Sequence, residues 1–407
     1  MTEMVHERCC GLDVHKDTIV ACLLTPQGKT IRTFGTTTGC LRQLVTWLQE
    51  AGCTQVAMES TGVYWKPIYN LLEQTAMTVV VANPQKIKVI PGRKTDVKDA
   101  EWLATLMRRD MVPASLIQDR AQRELAELVR YRQSLVAEQT RETNRIQKVL
   151  EGANLKIGSV LSDTQGVSGR RMLEAIARGV SDPDELAALA DPKVKASRQE
   201  LHAACEALIG PHQRMMLREQ LAHLDELAER IARLDAQIAE RMRPFESRVT
   251  ALDAIPGVGR VIAQEIIAFI GTDMSRFPSA QHLASWAKLC PGTHESAGKR
   301  SSARTGKGPK ALRWTLVQAA HAAGRTRRTY LGARYHRLAA RIGAKKAAVA
   351  VAHDILIIAY HLLRDGVAFE ELGADYYTKR NPERIKRRAL KQLEDLGFEV
   401  SLTQKAA

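Results

Sequence analysis

This 407-residue sequence shows no Cys-x-x-Cys pair, no signal-peptide pattern in its first residues and no uncharged apolar run of membrane-spanning length. Its seven cysteines form no Cys-x-x-Cys pair and several lie in apolar runs, so we expect reduced thiols in a reducing cytosol and no zinc site. The first eight residues lack a signal-peptide pattern. The most apolar stretch, 344–363, carries Lys345, Lys346, His353 and Asp354, which indicates a buried helix and predicts no membrane partner.

Acidic residues are absent from Lys299 to Lys346, a segment that contains 14 Lys or Arg residues. The formal net charge of the whole chain is +15, so this segment accounts for nearly all of the excess. Solvated surfaces usually mix both signs of charge, whereas a block of one sign within a foldable sequence indicates a polyanionic partner. Nucleic acid is the leading candidate, and a cationic surface that serves solubility is the alternative.

The chain is longer than one hydrophobic core usually supports, which predicts two or three domains. Three short apolar runs, 8–14, 18–24 and 30–34, precede alternating helical and strand patterns and predict a mixed sheet flanked by helices. The boundaries expected from composition give an α/β domain at 1–115, a helical region at 116–245, a mainly α-helical domain at 246–345, and a helix with a basic tail at 346–407.

Four carboxylates from three separate elements could converge on one site. Asp13 and Glu59 each end a predicted strand, at the sheet edge where ligands bind. Asp96 and Asp99 lie three residues apart at a predicted helix start and therefore share a helix face. Such a cluster repels itself unless cations neutralise it, so we predict that it holds one or two Mg²⁺ ions. Taken singly, each aspartate could instead be a turn or cap residue.

Two long amphipathic helices are predicted in the middle of the chain. Apolar residues recur at helical spacing over 119–151, and more regularly from Leu217 to Met242, after which Pro244 ends the pattern. A region rich in Gly, Ser and Asp, 158–192, separates them. A coiled coil is plausible, and the two helices could pack on each other within one chain or pair subunits; the sequence leaves both arrangements open.

A glycine-rich turn follows these helices. The segment Ile255-Pro256-Gly257-Val258-Gly259-Arg260 resembles a helix-hairpin-helix motif, whose backbone N–H groups contact a phosphate at a helix N-terminus; a helical turn that only packs is the alternative. Together with the basic segment, it predicts a nucleic-acid surface made of Pro256, Gly257, Gly259, Lys299, Arg300, Arg304, Lys307, Lys310 and Arg313.

Motifs spread over nearly the whole chain form a recognisable set. The N-terminal motifs are Gly11-Leu-Asp13-Val-His-Lys16, Met58-Glu59-Ser-Thr-Gly-Val-Tyr-Trp65, Asn83-Pro84 and Lys94-Thr-Asp96-Val-Lys-Asp99-Ala100. The C-terminal motifs are Pro256-Gly257-Val258-Gly259, Gly292, Ser296, Gly298-Lys299 and Leu312-Arg313. In this order they resemble the IS110/IS1111 family of transposases.

The resemblance implies an RNase H-like (RuvC-like) N-terminal domain whose DEDD tetrad is Asp13, Glu59, Asp96 and Asp99. It also implies a nucleophilic serine before a small residue, a glycine and a basic residue. Ser296 fits that pattern, while Ser301 and Ser302 are close alternatives. A structured guide RNA, encoded by the element, would pair with target and donor DNA. The implied location is the cytoplasm of a bacterium or archaeon, in association with the nucleoid.

A serine hydroxyl is a weak nucleophile, so the tetrad and its metal would assist the attack of Ser296 on a phosphodiester. The tetrad and Ser296 are far apart in sequence, which suggests a composite site in a homodimer or homotetramer. Two other classes remain open at this point. A Holliday-junction resolvase or other hydrolytic nuclease would need no serine, and a noncatalytic nucleic-acid-binding protein would need no tetrad.

Overall fold

The computed structural model describes residues 5–60, 62–83, 96–291, 295–296, 299–300, 305–306, 308–380 and 382–401. The chain forms two compact units, Met1–Arg120 and Ala121–Ala407. The division into four regions that composition suggests stays a prediction. The first unit is a mixed α/β structure and the second is almost entirely helical.

The first unit is built on a five-stranded sheet with the strand order β3-β2-β1-β4-β5. The first three strands form an antiparallel meander, and β4 and β5 run parallel to β1. The strands are β1 (Cys9–Val14), β2 (Thr18–Thr25), β3 (Gly28–Gly35), β4 (Gln55–Glu59) and β5 (Thr78–Ala82). The helices are α1 (Thr38–Glu50), α2 (Trp65–Leu72) and α3 (Asp96–Arg108).

Each face of the sheet is covered by a different core, because successive side chains of a strand point to opposite faces. Leu12 and Met58 belong to the core that also contains α1 and α2. Cys9 and Ala57 belong to the other core, with Ala104 of α3. The mixed sheet with helices on both faces matches the predicted architecture of this unit.

Two long helices, α4 (Arg120–Gly152) and α9 (Pro211–Met242), open the second unit. Arg132 forms an ion pair with Asp235, and Arg241 lies 3.7 Å from Glu124, so the helices run antiparallel within one chain. These two contacts show that the long helices pack on each other within one chain, which is one of the two arrangements that the sequence left open. The coiled-coil geometry stays a prediction.

The region between the long helices is not a loop. It contains α5 (Ile157–Val160), α6 (Val167–Arg178), α7 (Pro183–Ala188) and α8 (Arg198–Cys205). These short helices share one core with Ile146 of α4 and Leu221 of α9. Their apolar residues are too few per helix to give a long periodic pattern, which is why the sequence indicated only turn-forming residues here.

Further α-helices complete the described part of the second unit, and all but the last two of them bury apolar side chains. They are α10 (Glu246–Asp253), α11 (Arg260–Ile270), α12 (Ala280–Trp286), α13 (Lys310–Arg325), α14 (Tyr330–Ile342), α15 (Ala344–Asp365), α16 (Tyr376–Arg380) and α17 (Pro382–Asp395). Within the described residues, α15 is the one helix long and apolar enough to cross a membrane. It packs against α10, α12, α13 and α14, and buries Tyr360, whose hydroxyl donates to the carbonyl of Phe277 at 3.0 Å. These contacts are those of a core helix.

Candidate active site

Two of the four predicted acids stand at the carboxyl ends of neighbouring strands. β1 and β4 pair in parallel, with Gly11 opposite Ala57 and Leu12 opposite Met58. The next residues in this register are Asp13 and Glu59, which both point to the sheet face that α3 covers, since side chains alternate along a strand. The register therefore aligns the two carboxylates on one face, next to each other.

A close approach between α3 and β1 brings a third acid to this edge. A Cβ atom on Gly11 would lie 2.1 Å from the carbonyl oxygen of Ala100 and 2.4 Å from the backbone nitrogen of Ala104. The helix backbone therefore rests directly on the strand, which only glycine permits. Asp99, which is half-buried, precedes Ala100 in the first turn of α3. Asp96 is the first residue of the same helix, and its side chain lies outside the described part.

The carboxylate of Asp13 has a histidine neighbour. Nε2 of His15 lies 3.0 Å from Oδ2 of Asp13, and the Asp13 side chain is 15% exposed. His15 itself is exposed at the turn between β1 and β2. This contact orients the Asp13 carboxylate at the rim of the sheet edge.

The chemistry of these donors fits Mg²⁺, which prefers carboxylate oxygens. Asp13, Glu59 and Asp99 come from two adjacent strand ends and the helix turn above them. Among the side chains that the structure describes, no group of three His, Cys, Asp or Glu residues is placed so that it could hold a metal ion. The candidate site is thus an acidic edge whose fourth member, Asp96, lies outside that description.

Ser296 belongs to a two-stranded ladder in the second unit. The strands β6 (Glu295–Ser296) and β7 (Lys299–Arg300) pair antiparallel, with Ser296 opposite Lys299. An isolated antiparallel bridge joins Pro291 to Thr305. We call residues 291–305 the serine arm. Of the predicted residues in and near the arm, Ser301, Ser302, Arg304 and Lys307 lie outside the described residues.

The glycine-rich turn joins α10 to α11, and its assignment as a helix-hairpin-helix motif stays a prediction. Gly257 has φ +87°, and a Cβ atom there would lie 2.4 Å from the carbonyl oxygen of Ala319 in α13. Gly259 is the N-cap residue of α11. Nη1 and Nη2 of Arg260 donate to the carboxylate of Glu246, at 2.6 and 2.7 Å, and this contact lowers the pKa of Glu246. The turn is thereby held between three helices.

The other predicted nucleic-acid residues differ in exposure. Lys310 is exposed at the start of α13, and Gly259 is exposed at the turn. Pro256 and Arg313 are half-buried. For Lys299 and Arg300 the structure describes the backbone ladder.

Sequence reasoning missed a buried polar network in the second unit. Glu265 of α11 is 3% exposed, accepts a hydrogen bond from Thr315 at 2.5 Å and another from Gln133 at 2.7 Å. Arg132 lies 3.7 Å away. Burial raises the pKa of Glu265, against the opposing effect of these partners. A glutamate within the apolar run Ile262–Ile270 was the signal that could have revealed it.

Comparisons with known proteins agree with this architecture. Residues 10–155 match the family model DEDD_Tnp_IS110, described as a transposase, and residues 249–336 match that of the transposase IS116/IS110/IS902 family. The chain is 28% identical over 304 residues to the 43.6 kDa protein of insertion element IS110 from Streptomyces coelicolor, covering 69% of this chain and 73% of that protein. It is 28% identical over 252 residues to the 42 kDa protein of IS900 from Mycobacterium paratuberculosis, covering 54% and 62%.

The mixed five-stranded sheet, followed by a mostly helical remainder, is compatible with an RNase H-like DEDD transposase. The two family matches together cover more than half of the chain. The chain belongs to the IS110 family of transposases, and it is an enzyme that acts on DNA.

Proposed function

We propose that this transposase cuts and rejoins DNA through a serine nucleophile that the acidic site assists. The observation that carries the proposal is the alignment of Asp13 with Glu59 in the β1–β4 register, beneath the helix turn of Asp99. Like charges aligned at one sheet edge repel each other, so the alignment is unfavourable unless a cation neutralises it. It favours a site that binds a cation and a phosphate.

In this proposal Asp13, Glu59, Asp96 and Asp99 hold one or two Mg²⁺ ions. Bound Mg²⁺ would neutralise the charge that develops on the phosphate oxygens. His15 keeps the Asp13 carboxylate oriented through their 3.0 Å contact. The acids thereby position a scissile phosphate at the carboxyl edge of the sheet.

The strand-cutting step uses Ser296. Its Oγ attacks phosphorus, an Oγ–P ester bond forms, and the P–O3′ bond breaks. The serine proton passes to solvent, and the departing 3′ oxygen takes up a proton. The new 3′-hydroxyl of another strand then attacks the phosphoserine and releases Ser296, so bond energy is conserved and no nucleotide cofactor is needed. Lys299 stands opposite Ser296 in the arm ladder, which supports a role in phosphate binding.

The glycine-rich turn and the basic segment would bind the nucleic acid, the turn through backbone N–H groups at the start of α11. The resemblance to the family supports a structured guide RNA and a homodimer or homotetramer with composite sites. The acids and Ser296 lie in different units of the chain, which is compatible with sites shared between subunits.

The test incubates the protein with labelled element-junction DNA, Mg²⁺ and RNA transcribed from the flank of the element. Wild type is compared with Ser296→Ala and Asp13→Ala, and protein–DNA adducts are separated on a denaturing gel. Ser301→Ala and Ser302→Ala are matched serine controls. Glu101→Gln is the acid control, because Glu101 lies on α3 and pairs with the exposed Lys29 at 2.8 Å.

We expect an adduct from wild type and from the three controls, and none from Ser296→Ala or Asp13→Ala. Cleavage without an adduct that persists in Ser296→Ala would instead identify a hydrolytic nuclease. DNA binding without cleavage under any condition would show that this protein binds DNA but does not cut it.

A further inference from the structure

The solvent-facing side of α13 has an unusual composition. Its exposed residues are Lys310, Trp314, Gln318, His321 and Arg325. They follow one another by three or four positions and therefore form a single stripe along the helix. The helix has 16 residues, so the stripe is about 24 Å long. We call it the α13 stripe.

The opposite side of the helix fixes this orientation. Leu312, Leu316 and Ala319 are fully buried, and the glycine-rich turn lies against the backbone of Ala319 and Ala323. Rotation of α13 about its axis would replace the small residues Ala319 and Ala323 at Gly257 with larger side chains, for which this close contact leaves no space. The stripe is consequently held toward solvent by the packing of the domain.

The stripe has no negative charge of its own. Among the described residues, no carboxylate lies within ion-pair distance of Lys310 or Arg325. His321 contacts the hydroxyl of Tyr335 at 3.3 Å and carries no acidic partner there. Two exposed arginines, Arg327 and Arg328, follow directly at the turn to α14. The surface is therefore complementary to a polyanion.

Trp314 distinguishes this surface from a simple cationic face. It is 42% exposed between Lys310 and Gln318, although tryptophan normally buries its large apolar ring. An indole exposed among cations is the typical arrangement of proteins that stack unpaired bases, with basic residues on the flanking phosphates.

We propose that the α13 stripe binds an unpaired nucleic-acid strand, in which Trp314 stacks on a base and Lys310 and Arg325 contact phosphates. A duplex does not offer a free base face to an indole, which is why the exposed ring favours an unpaired strand. This inference rests on the proposed function only for the class of partner, a nucleic acid. It adds that the bound strand is unpaired, and it names the residues that recognise the strand.

The test uses the fluorescence of Trp314 itself. Of the five tryptophans, all of which lie in the described residues, Trp314 alone is exposed; Trp65 is buried and the others are intermediate. The full-length protein, in EDTA, is titrated with oligothymidylate of roughly 20 nucleotides and with a duplex of the same length. Affinities are measured separately with a dye-labelled oligonucleotide.

The variants are Trp314→Ala, Trp314→Phe and the control Tyr131→Ala, which removes another exposed aromatic side chain, on α4. We expect the single strand to quench the indole emission of wild type, and Trp314→Phe to lose most of that quenching. Loss of stacking should weaken binding of the single strand by roughly 5- to 150-fold in Trp314→Ala. Trp314→Phe should retain most of the affinity, and Tyr131→Ala should stay within about twofold of wild type.

The inference is overturned if Trp314→Ala binds the single strand as tightly as wild type. It is also overturned if the duplex quenches the indole as strongly as the single strand does. Because the titration contains no Mg²⁺ and involves no cleavage, its outcome is independent of the adduct test. Quenching without an adduct would exclude the serine mechanism and leave the role of the stripe intact. An adduct without quenching would exclude the role of the stripe and leave the serine mechanism intact.

Discussion

The two units of this transposase position their candidate chemistry by the same device, a glycine on which the backbone of a helix rests. In the first unit, Gly11 of β1 carries α3, and in the second, Gly257 of the turn carries α13. The first contact brings Asp99 to the edge that contains Asp13 and Glu59. The second orients the α13 stripe. In each unit, the lack of a side chain on glycine allows a helix to pack closely, and that helix positions the charged side chains.

The two contacts differ in what the backbone requires. Gly11 lies in a regular strand, and only the space needed by α3 excludes a side chain. Gly257 lacks that space and also has a positive φ of +87°. Turn chemistry made the need for glycine at position 257 visible in the sequence, whereas the motif that contains Gly11 gave no sign that a helix packs on this glycine. A glycine that is required because a helix packs closely on it is therefore harder to recognise in a sequence than a glycine that is required by a positive φ in a turn.

The largest effect is expected from Gly257→Ala, which combines strain at positive φ with overlap of the α13 backbone. We expect a loss of about 3 kcal/mol in the free energy of unfolding of the second unit. Gly259→Ala is the matched control two residues away, where a Cβ atom meets nothing within 4 Å, and it should cost less than about 1 kcal/mol. Denaturant unfolding of both variants measures the difference, and equal losses would contradict the packing argument.

Gly11→Ala should cost about 2 kcal/mol, because overlap acts there without backbone strain. Gly39→Ala in the first turn of α1 is the control, since a Cβ atom there meets open space, and it should be neutral or slightly stabilising. Hydrogen exchange of the amides in α3 and β1 reports the change within the first unit. Unchanged protection in Gly11→Ala would show that α3 can move away from β1 without loss.

Glu265→Gln should change how stability depends on pH. Burial raises the pKa of Glu265 above its ordinary value of 4.5, so the folded state holds a proton that the unfolded state has lost. Stability therefore falls as pH rises from that value through the raised pKa, by up to about 1.4 kcal/mol per pH unit. Unfolding curves at several pH values should show this slope in wild type and not in Glu265→Gln. Parallel pH profiles would exclude the titration of Glu265 as the cause.

The smallest effect is expected from the exposed ion pair between the long helices. Glu124 and Arg241 are 3.7 Å apart, and their side chains are 47% and 42% exposed. Glu124→Gln should change the free energy of unfolding by less than about 0.5 kcal/mol, because water and salt screen the pair. Denaturant unfolding in low and high salt checks this value. A loss above 1 kcal/mol, roughly, would mean that the pair holds the helices together.

Local patterns predicted the elements well. The strand predicted at 18–24 is Thr18–Thr25, the long helix predicted at 119–151 is Arg120–Gly152, and the buried helix predicted at 344–363 is Ala344–Asp365. The short helices between α4 and α9 were missed, because a helix of one or two turns shows too little of its period. The roles of Asp13, Glu59, Asp96, Asp99 and Ser296 stay predictions.

The sequence by itself determined the order of the elements, the strand ends that carry Asp13 and Glu59, and the basic character of the segment from Lys299 to Lys346. These features depend on residues that are close together in the chain. Only the tertiary structure decided that α3 lies on Gly11, that Glu265 is buried beside Gln133 and Thr315, and that Trp314 faces solvent. Each of these depends on packing between segments distant in sequence, for which a local period carries no information.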